Sequence, residues 1–456
     1  METFLLIAGF ILFIKLFLFW SWLWQLKEYH IGRFLAHFET RAFLKIISSF
    51  WRKKFPKFTV KVIVIFISGL FFAALSIFYS KSTLLFLIIF APVFSSLWVL
   101  FLQIPTVILR GRILRKATRK RARFKNLLVI GITGSYGKTS TKEFLYSILS
   151  SKFNVLKTEA HQNSEVGISQ CLLNNLDPEH EIFIVEMGAY NRGGIKLLCD
   201  ITKPKWGILT GINEQHMATF GSQGNIVKAK YELIENLPEN GVAFFNAKNK
   251  YCVELYEKTQ GVKKILYGQE ATFFGQENIL GAMAIAKEAG MTDEEIKQAV
   301  DKINNKMPGI KIKDGIKGLN IIDATYSANP DGVIANLEYL GKFSGSPSIK
   351  LRIKKIIVMP CLIELGKASK EVHSRIGKKI AEVCDLAIIT TGDRFKEIRE
   401  GVASVEVLAS QRTEIILMEN PKKIFDKLMS FCKEGDTILL ESRVPKSVIG
   451  QLTTDN

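Results

Sequence analysis

The chain has 456 residues, 48% of them hydrophobic, with 62 Lys and Arg against 43 Asp and Glu for a formal net charge of +19. That length leaves room for two or three domains with sizeable cores. The charge is local: up to Ile130 there are 20 Lys and Arg against 3 Asp and Glu, and after it 42 against 40, which excludes a uniformly basic chain of the kind that coats nucleic acid.

Three apolar stretches come first: Thr3 to Leu26, Val62 to Tyr79 and Thr83 to Leu109. Each approaches or exceeds the roughly 20 residues a bilayer-spanning helix needs, so the pattern predicts three transmembrane helices. Lys15 interrupts the first, and Pro92 and Pro105 fall in the third, where a membrane helix tolerates a kink. A cleaved signal peptide fits poorly, because the first stretch is long and lacks a basic start. Lys27, Arg33, Arg41, Lys45, Arg52, Lys53, Lys54 and Lys57 lie between the first two stretches, and the run Arg110 to Arg121 follows the third. The positive-inside rule puts both in the cytosol, with Ser80-Lys81-Ser82 as an external turn. The expectation is a multi-pass inner-membrane protein with its soluble part in the cytoplasm, membrane lipids facing the basic run, and no nucleic-acid partner. Six scattered cysteines without a C-x-x-C pair fit a reducing compartment and argue against structural zinc.

Next comes Gly131-Ile132-Thr133-Gly134-Ser135-Tyr136-Gly137-Lys138-Thr139-Ser140-Thr141, after the apolar run Leu127 to Ile130. A strand that ends in glycines lets backbone N–H groups crowd around an anion, and the following helix adds its positive end. Lys138 is placed to reach terminal phosphates and Thr139 to hold Mg²⁺; Gly134, Ser135, Gly137 and Ser140 complete the cradle. The match to the general P-loop is imperfect, since the glycine expected at position 132 stands at Gly131. Apolar runs then alternate with helical patterns at Ile182 to Val185, Trp206 to Leu209 and Val242 to Phe245, followed by a helix over Asn278 to Ala289. A second alternation takes in Leu319, Lys355 to Met359, Leu386 to Thr390 and Thr437 to Leu440. The rhythm predicts an α/β chain: a mostly parallel P-loop sheet domain and a smaller Rossmann-like domain. The turn-rich Asn304 to Gly309 marks the boundary, giving a membrane anchor over 1–125, an ATP-binding domain over 126–305 and a C-terminal domain over 306–456.

Three further residues stand out. Glu186 closes an apolar strand, where ligands of open α/β sheets gather. His216 lies in a loop after the next strand, and Lys230 sits in a helical stretch where a solvated face is the ordinary reading.

The ordered set formed by the glycine loop, Glu186-Met187-Gly188, His216 with Phe220-Gly221, and Lys228-Ala229-Lys230 resembles the Mur ligases, ATP-dependent amide-forming enzymes of peptidoglycan assembly. Asp323 to Asp331, Ile363-Glu364-Leu365-Gly366 and His373 resemble the branch that adds D-alanyl-D-alanine to a muramoyl tripeptide. The resemblance implies that Lys138 binds the β- and γ-phosphates of ATP and that Thr139 and Glu186 hold one Mg²⁺. It implies that Glu186, His216 and a carbamylated Lys230 serve a second ion, a carbamate being an oxygen donor where an ammonium would repel the metal. Asn278 is expected at adenine and Asp323 at the ribose, with Asn163, Glu165, Gly167 and Asn329 toward substrate. The implied reaction activates a carboxylate as an acyl phosphate, which an amine then displaces.

The sequence also departs from the family. Its uridine-diphosphate-gripping domain has no counterpart, Gln276-Glu277 precede Asn278 where a His and an Asn are usual, Ile310 replaces an Arg, and a Lys-Gly-Ser-Arg pattern has become Leu440-Glu441-Ser442-Arg443. The missing domain raises the expectation of a lipid-linked cell-wall precursor confined at the membrane. Two other readings stand beside the leading one: a membrane-bound ligase for another polymer such as poly-γ-glutamate, and a non-catalytic nucleotide-binding scaffold.

Overall fold

The computed structural model describes residues 2–26, 29, 31, 34, 55–79, 82–160, 162–272, 275–303, 311–325, 328–343, 353–406 and 413–453. The expected boundary loop 304–309, Ile310, and most of the basic residues between the first two apolar stretches lie outside these residues. The chain divides into two compact units, 1–113 and 114–456.

The first unit is helical. Helices Glu2–Leu26, Val60–Tyr79, Ser82–Ile89 and Ala91–Phe101 enclose an aromatic core around Phe13, Phe17 and Trp24. The indole N–H groups find partners: Trp24 donates to Ser96 Oγ at 3.0 Å and Trp98 to Ser68 Oγ at 2.9 Å, as buried indoles require. Three spans were expected and the structure corrects this. Among the described residues two helical stretches, Phe4–Leu26 and Ala91–Ala122, are long and apolar enough to cross a membrane, and the apolar part of the second predicted span, Val60–Leu75, is shorter. The third predicted span is broken at Phe90, because Pro92 sits in the first turn of a new helix, where its missing N–H costs nothing. Core helices and N-terminal signal sequences pass the same test of length and composition. The multi-pass inner-membrane localisation is therefore overturned, and with it the basis for membrane lipids as partners.

Among the described residues, the second unit holds two six-stranded sheets. In the first, β1 (Leu128–Thr133), β2 (Val155–Lys157), β3 (Ile182–Glu186), β4 (Trp206–Leu209), β5 (Val242–Asn246) and β6 (Lys263–Tyr267) run in the order β2-β3-β1-β4-β5-β6. Every pairing is parallel. Apart from the half-buried Leu128 that opens β1, the central strands are buried, as sheets covered on both faces require. Apolar clusters fill both faces, one around Val129, Phe183 and Leu233, the other around Ile130, Ile184 and Ile285. The strand order reverses at β1, so β3 and β4 flank it and the β1 loop opens into the crevice where ligands of such sheets bind.

In the second sheet, β7 (Lys311–Asp314), β8 (Asn320–Ala324), β9 (Lys355–Met359), β10 (Leu386–Ile389), β11 (Glu414–Leu417) and β12 (Thr437–Glu441) run in the order β11-β10-β9-β12-β8-β7. It is parallel except for β7, which pairs antiparallel with β8. The expected mixed α/β architecture is present as two sheets with their own cores.

Candidate active site

The β1 loop is built for close approach. Gly137 caps helix Lys138–Leu149 with φ +79°, and a Cβ there would stand 2.4 Å from Asn278 Oδ1. Only glycine meets both demands. Ser135 N donates to Gly211 O at 2.6 Å and Thr210 Oγ1 to Tyr136 O, tying the loop to the end of β4. Lys138 Nζ folds back onto the carbonyls of Gly134 at 2.8 Å and Ser135 at 3.2 Å. Burial lowers its proton affinity, and Glu186 acts the other way.

Glu186 ends β3 in register with Ile132 of β1, which brings its carboxylate beside the helix start. Its Oε2 accepts from Thr139 Oγ1 at 3.0 Å and its Oε1 from Asn163 Nδ2 at 3.3 Å. Thr139 and Glu186 thus offer adjacent oxygen donors at a helix N-terminus, a chemistry that suits Mg²⁺. Behind them Lys142 is fully buried, 3.4 Å from both Glu143 Oε1 and Glu186 Oε2, and its ammonium makes no hydrogen bond among the described residues.

His216 opens the short helix Met217–Phe220 in the left-handed region, φ +66°. Its Nδ1 lies 2.5 Å from Glu364 Oε2, and the edge of the Tyr190 ring stands against it at a centroid distance of 5.2 Å. Burial pushes its proton affinity down, opposed by Glu364. Lys230 belongs to helix Gln223–Glu235, which packs so tightly on the sheet that a Cβ on Gly207 would meet Leu233 Cγ at 2.9 Å. Lys230 does not lie on the solvated face that its helical stretch alone would suggest: it is 2% exposed, with its ammonium 5.6 Å from the Phe220 ring centre. Burial, and then the charge of Lys138, lower its pKa to about 7. As an ammonium it repels a metal; neutral, it has the lone pair that carbamate formation needs. The charge of the half-buried Lys138 is thus felt by Glu186's neighbourhood, by His216 and by the buried Lys230, and the two lysines oppose each other.

Beside this neighbourhood lies a cavity of ≈ 1040 Å³ between the two sheet domains, lined among others by Tyr136, Ser140, Asn278, Asn329 and Tyr339. Asn278 Oδ1 accepts from Thr141 Oγ1 at 3.2 Å. Asn329 caps helix Pro330–Lys342 by accepting from Gly332 N at 3.0 Å, and also accepts from Asn213 Nδ2 at 3.1 Å. Asn213 further donates to Asp331 Oδ2 at 3.2 Å, so it joins the domains. Asp323 ends next to the cavity-lining Ala324; burial would raise its pKa, but hydrogen bonds from Thr325 and Lys313 carry it below the usual value. Glu165 lies at the start of helix Glu165–Asn175, whose cap Ser164 accepts from Gly167 N. Where the family pattern is lost, Glu441 is 1% exposed and accepts from Asn336 Nδ2 at 2.6 Å and Ser442 Oγ at 3.0 Å. Burial pushes its carboxyl up to about 8.

A parallel sheet with a glycine loop at its reversal point, and a second α/β domain across a shared cavity, define a two-domain α/β protein. The Mur ligase middle domain matches residues 132–309, and the Mur ligase glutamate ligase domain matches residues 310–443. The chain belongs to the Mur ligase family. It is 30% identical over 284 residues to a UDP-N-acetylmuramoyl-tripeptide–D-alanyl-D-alanine ligase of Synechocystis sp., a match covering 57% of this chain and 60% of that protein. To the Bacillus subtilis protein of the same name it is 27% identical, covering 69% and 72%. The MurF ligase of Thermotoga maritima, solved in complex with ADP, superposes with a TM-score of 0.60 at 26% identity, covering 75% of this chain and 83% of that one. Of the first of these curated relatives, the chain thus spans less than two thirds.

Contacts that sequence reasoning missed are Glu364 on His216, Asn163 on Glu186, Lys142 behind Glu186, and Asn213 between the domains. Glu364 and Asn163 stood inside motifs already singled out; Lys142, four residues after Lys138, carried the helical spacing alone.

Proposed function

We propose that the protein is an ATP-dependent carboxylate-amine ligase of the Mur type, adding D-alanyl-D-alanine or a similar amine to a cell-wall peptide precursor. One observation supports this reading: Thr139 Oγ1 donates to Glu186 Oε2 at the phosphate loop, and the charge of Lys138 there is felt by His216 and the buried Lys230, near a cavity that Gly137 and Ser140 line from one matched domain and Asn329 and Tyr339 from the other. The Lys138 ammonium beside the Glu186 carboxylate favours a polyphosphate anion, and Mg²⁺ on the oxygens of Thr139 and Glu186 would offset its remaining charge. A second ion would take Glu186, His216 and a carbamylated Lys230. Asn278 and Asp323 are assigned to adenine and ribose, and Asn163, Glu165 and Asn329 to the substrate side.

The substrate carboxylate attacks the γ-phosphorus while the bond to the β–γ bridging oxygen breaks, giving an acyl phosphate and ADP. The amine nitrogen then attacks the acyl carbon, phosphate leaves with the former carboxylate oxygen, and the amine loses a proton. Lys138 stabilises the charge passing to the leaving oxygens, and closure of the cleft keeps water from the acyl phosphate. No protein nucleophile is required.

The test is ADP release by the purified chain with UDP-linked tripeptide or lipid-linked tripeptide as acceptor, and D-alanyl-D-alanine or glutamate as amine. Amine-dependent ADP release that Lys138→Ala abolishes is expected, with D-alanyl-D-alanine preferred. Release indifferent to every amine, or unchanged in Lys138→Ala, would refute the reading and favour a nucleotide-binding scaffold; preference for glutamate would favour the other-polymer ligase.

A further inference from the structure

The residue that touches His216 comes from the other domain. Glu364 lies in the loop after β9, and three separate contacts fix it there. Its Oε2 is 2.5 Å from His216 Nδ1, its carbonyl accepts from Ala218 N at 3.1 Å, and the loop behind it is pinned where Leu362 N donates to His373 Nε2 at 3.0 Å. His373 is itself held by Ser369 O, 2.6 Å from its Nδ1, so Nδ1 carries the proton and Nε2 accepts. Both facing residues, His216 and Glu364, adopt left-handed backbone at φ +66° and +65°, a conformation that non-glycine residues keep only where surroundings impose it.

A carboxylate accepts and does not donate, so its contact with Nδ1 makes that nitrogen the protonated one and leaves the lone pair of Nε2 free. This is the carboxylate–histidine arrangement that orients metal-ligating imidazoles and raises their basicity. We propose that Glu364 is the positioning residue for His216, so that the second metal position of the central domain is complete only when the C-terminal domain is docked upon it. The inference rests on the two-metal reading above. It assigns to Glu364 no contact with substrate; it acts through the imidazole. Its consequence is a coupling: metal affinity at the second position and docking of the two domains become one equilibrium.

The test follows Mn²⁺ binding to the full chain by electron paramagnetic resonance, with ADP present and no turnover, in wild type, Glu364→Ala, Glu364→Gln and His216→Ala. Wild type is expected to bind two ions. Glu364→Ala should weaken the second by 10- to 100-fold, as loss of such outer partners does, while leaving the first, at Thr139 and Glu186, within about threefold. Glu364→Gln, which keeps an acceptor for the Nδ1 proton, should lose less than Glu364→Ala, and this variant carries the test if Glu364→Ala fails to fold. In the His216→Ala background, Glu364→Ala should add nothing. Wild-type binding of the second ion by Glu364→Ala, a Gln variant no better than Ala, or a further tenfold loss on top of His216→Ala would each overturn the proposal. A wild type that binds a single ion would sink the two-metal reading, and this inference with it, a result distinct from two ions indifferent to Glu364.

Discussion

Alanine at position 137 tests the phosphate loop without removing any side chain. The left-handed backbone there, φ +79°, costs a β-carbon about 1–2 kcal/mol. The new methyl would also stand 2.4 Å from Asn278 Oδ1, and that oxygen has nowhere to retreat without giving up its hydrogen bond from Thr141 at 3.2 Å, worth about 1 kcal/mol. The sum for Gly137→Ala is about 2–3 kcal/mol. Asn278→Ala alone should lose only the Thr141 bond, and in the Gly137→Ala background it should add almost nothing, since the bond is already gone. The pair should therefore show a coupling of about 1 kcal/mol. Because the two units need not unfold in one step, amide exchange in helix Lys138–Leu149 at rising urea is the appropriate readout. A Gly137→Ala cost within about 0.5 kcal/mol of zero, or strict additivity of the two substitutions, would refute the reasoning.

Four other outcomes are expected. The Glu441 carboxyl is raised from 4.5 to about 8 by burial, so the folded state holds its proton more tightly than the unfolded chain. Stability from this group is complete below the unfolded value and is lost progressively as pH rises from 4.5 through about 8; urea titrations should show Glu441→Gln with a flatter profile than wild type across that window. With ¹³C-bicarbonate at pH 8, where Lys230 with its pKa of about 7 is mostly neutral, NMR should reveal a lysine carbamate signal that vanishes in Lys230→Met; its absence from the wild type would remove the carbamate from the site. Asn213→Ala should lower the melting temperature and loosen domain docking, because it leaves Asn329 and Asp331 short of a buried donor. Arg375→Ala should change stability by under about 1 kcal/mol, as that side chain is 43% exposed and pairs with Glu214 at 3.4 Å.

The interior of both sheets was legible and the edges were not. β1, β3, β4, β5, β9, β10 and β12 announce themselves as apolar runs because both faces are covered. The four strands missed, β2, β6, β7 and β11, are the two edges of each sheet. They read Val-Leu-Lys, Lys-Lys-Ile-Leu-Tyr, Lys-Ile-Lys-Asp and Glu-Ile-Ile-Leu: short or charged, as edges that resist further pairing tend to be. The three membrane spans failed for a related reason. Apolar length is shared by helices with different surroundings, and hydropathy does not register that Pro92 starts a helix rather than bending one. At the site, the glycine loop was readable because its function is local in sequence. The meeting of His216 with Glu364, 148 residues apart, was not, because docking of two domains leaves no period in the chain. The burial of Lys230 was not legible from its neighbours, for want of any local sign that helix Gln223–Glu235 lies flush on the sheet.

That flush seating makes Gly207 a spacer of zero thickness. With Leu233 pressed to the backbone of β4, the depth of one helical layer fixes how far Lys230 reaches toward the phosphate loop. A single methyl at position 207 would act as a shim, lifting the lysine off its mark while every residue at the loop kept its identity. Sites of this kind are gauged from beneath, and a screen confined to residues lining the cavity would never find the screw that sets them.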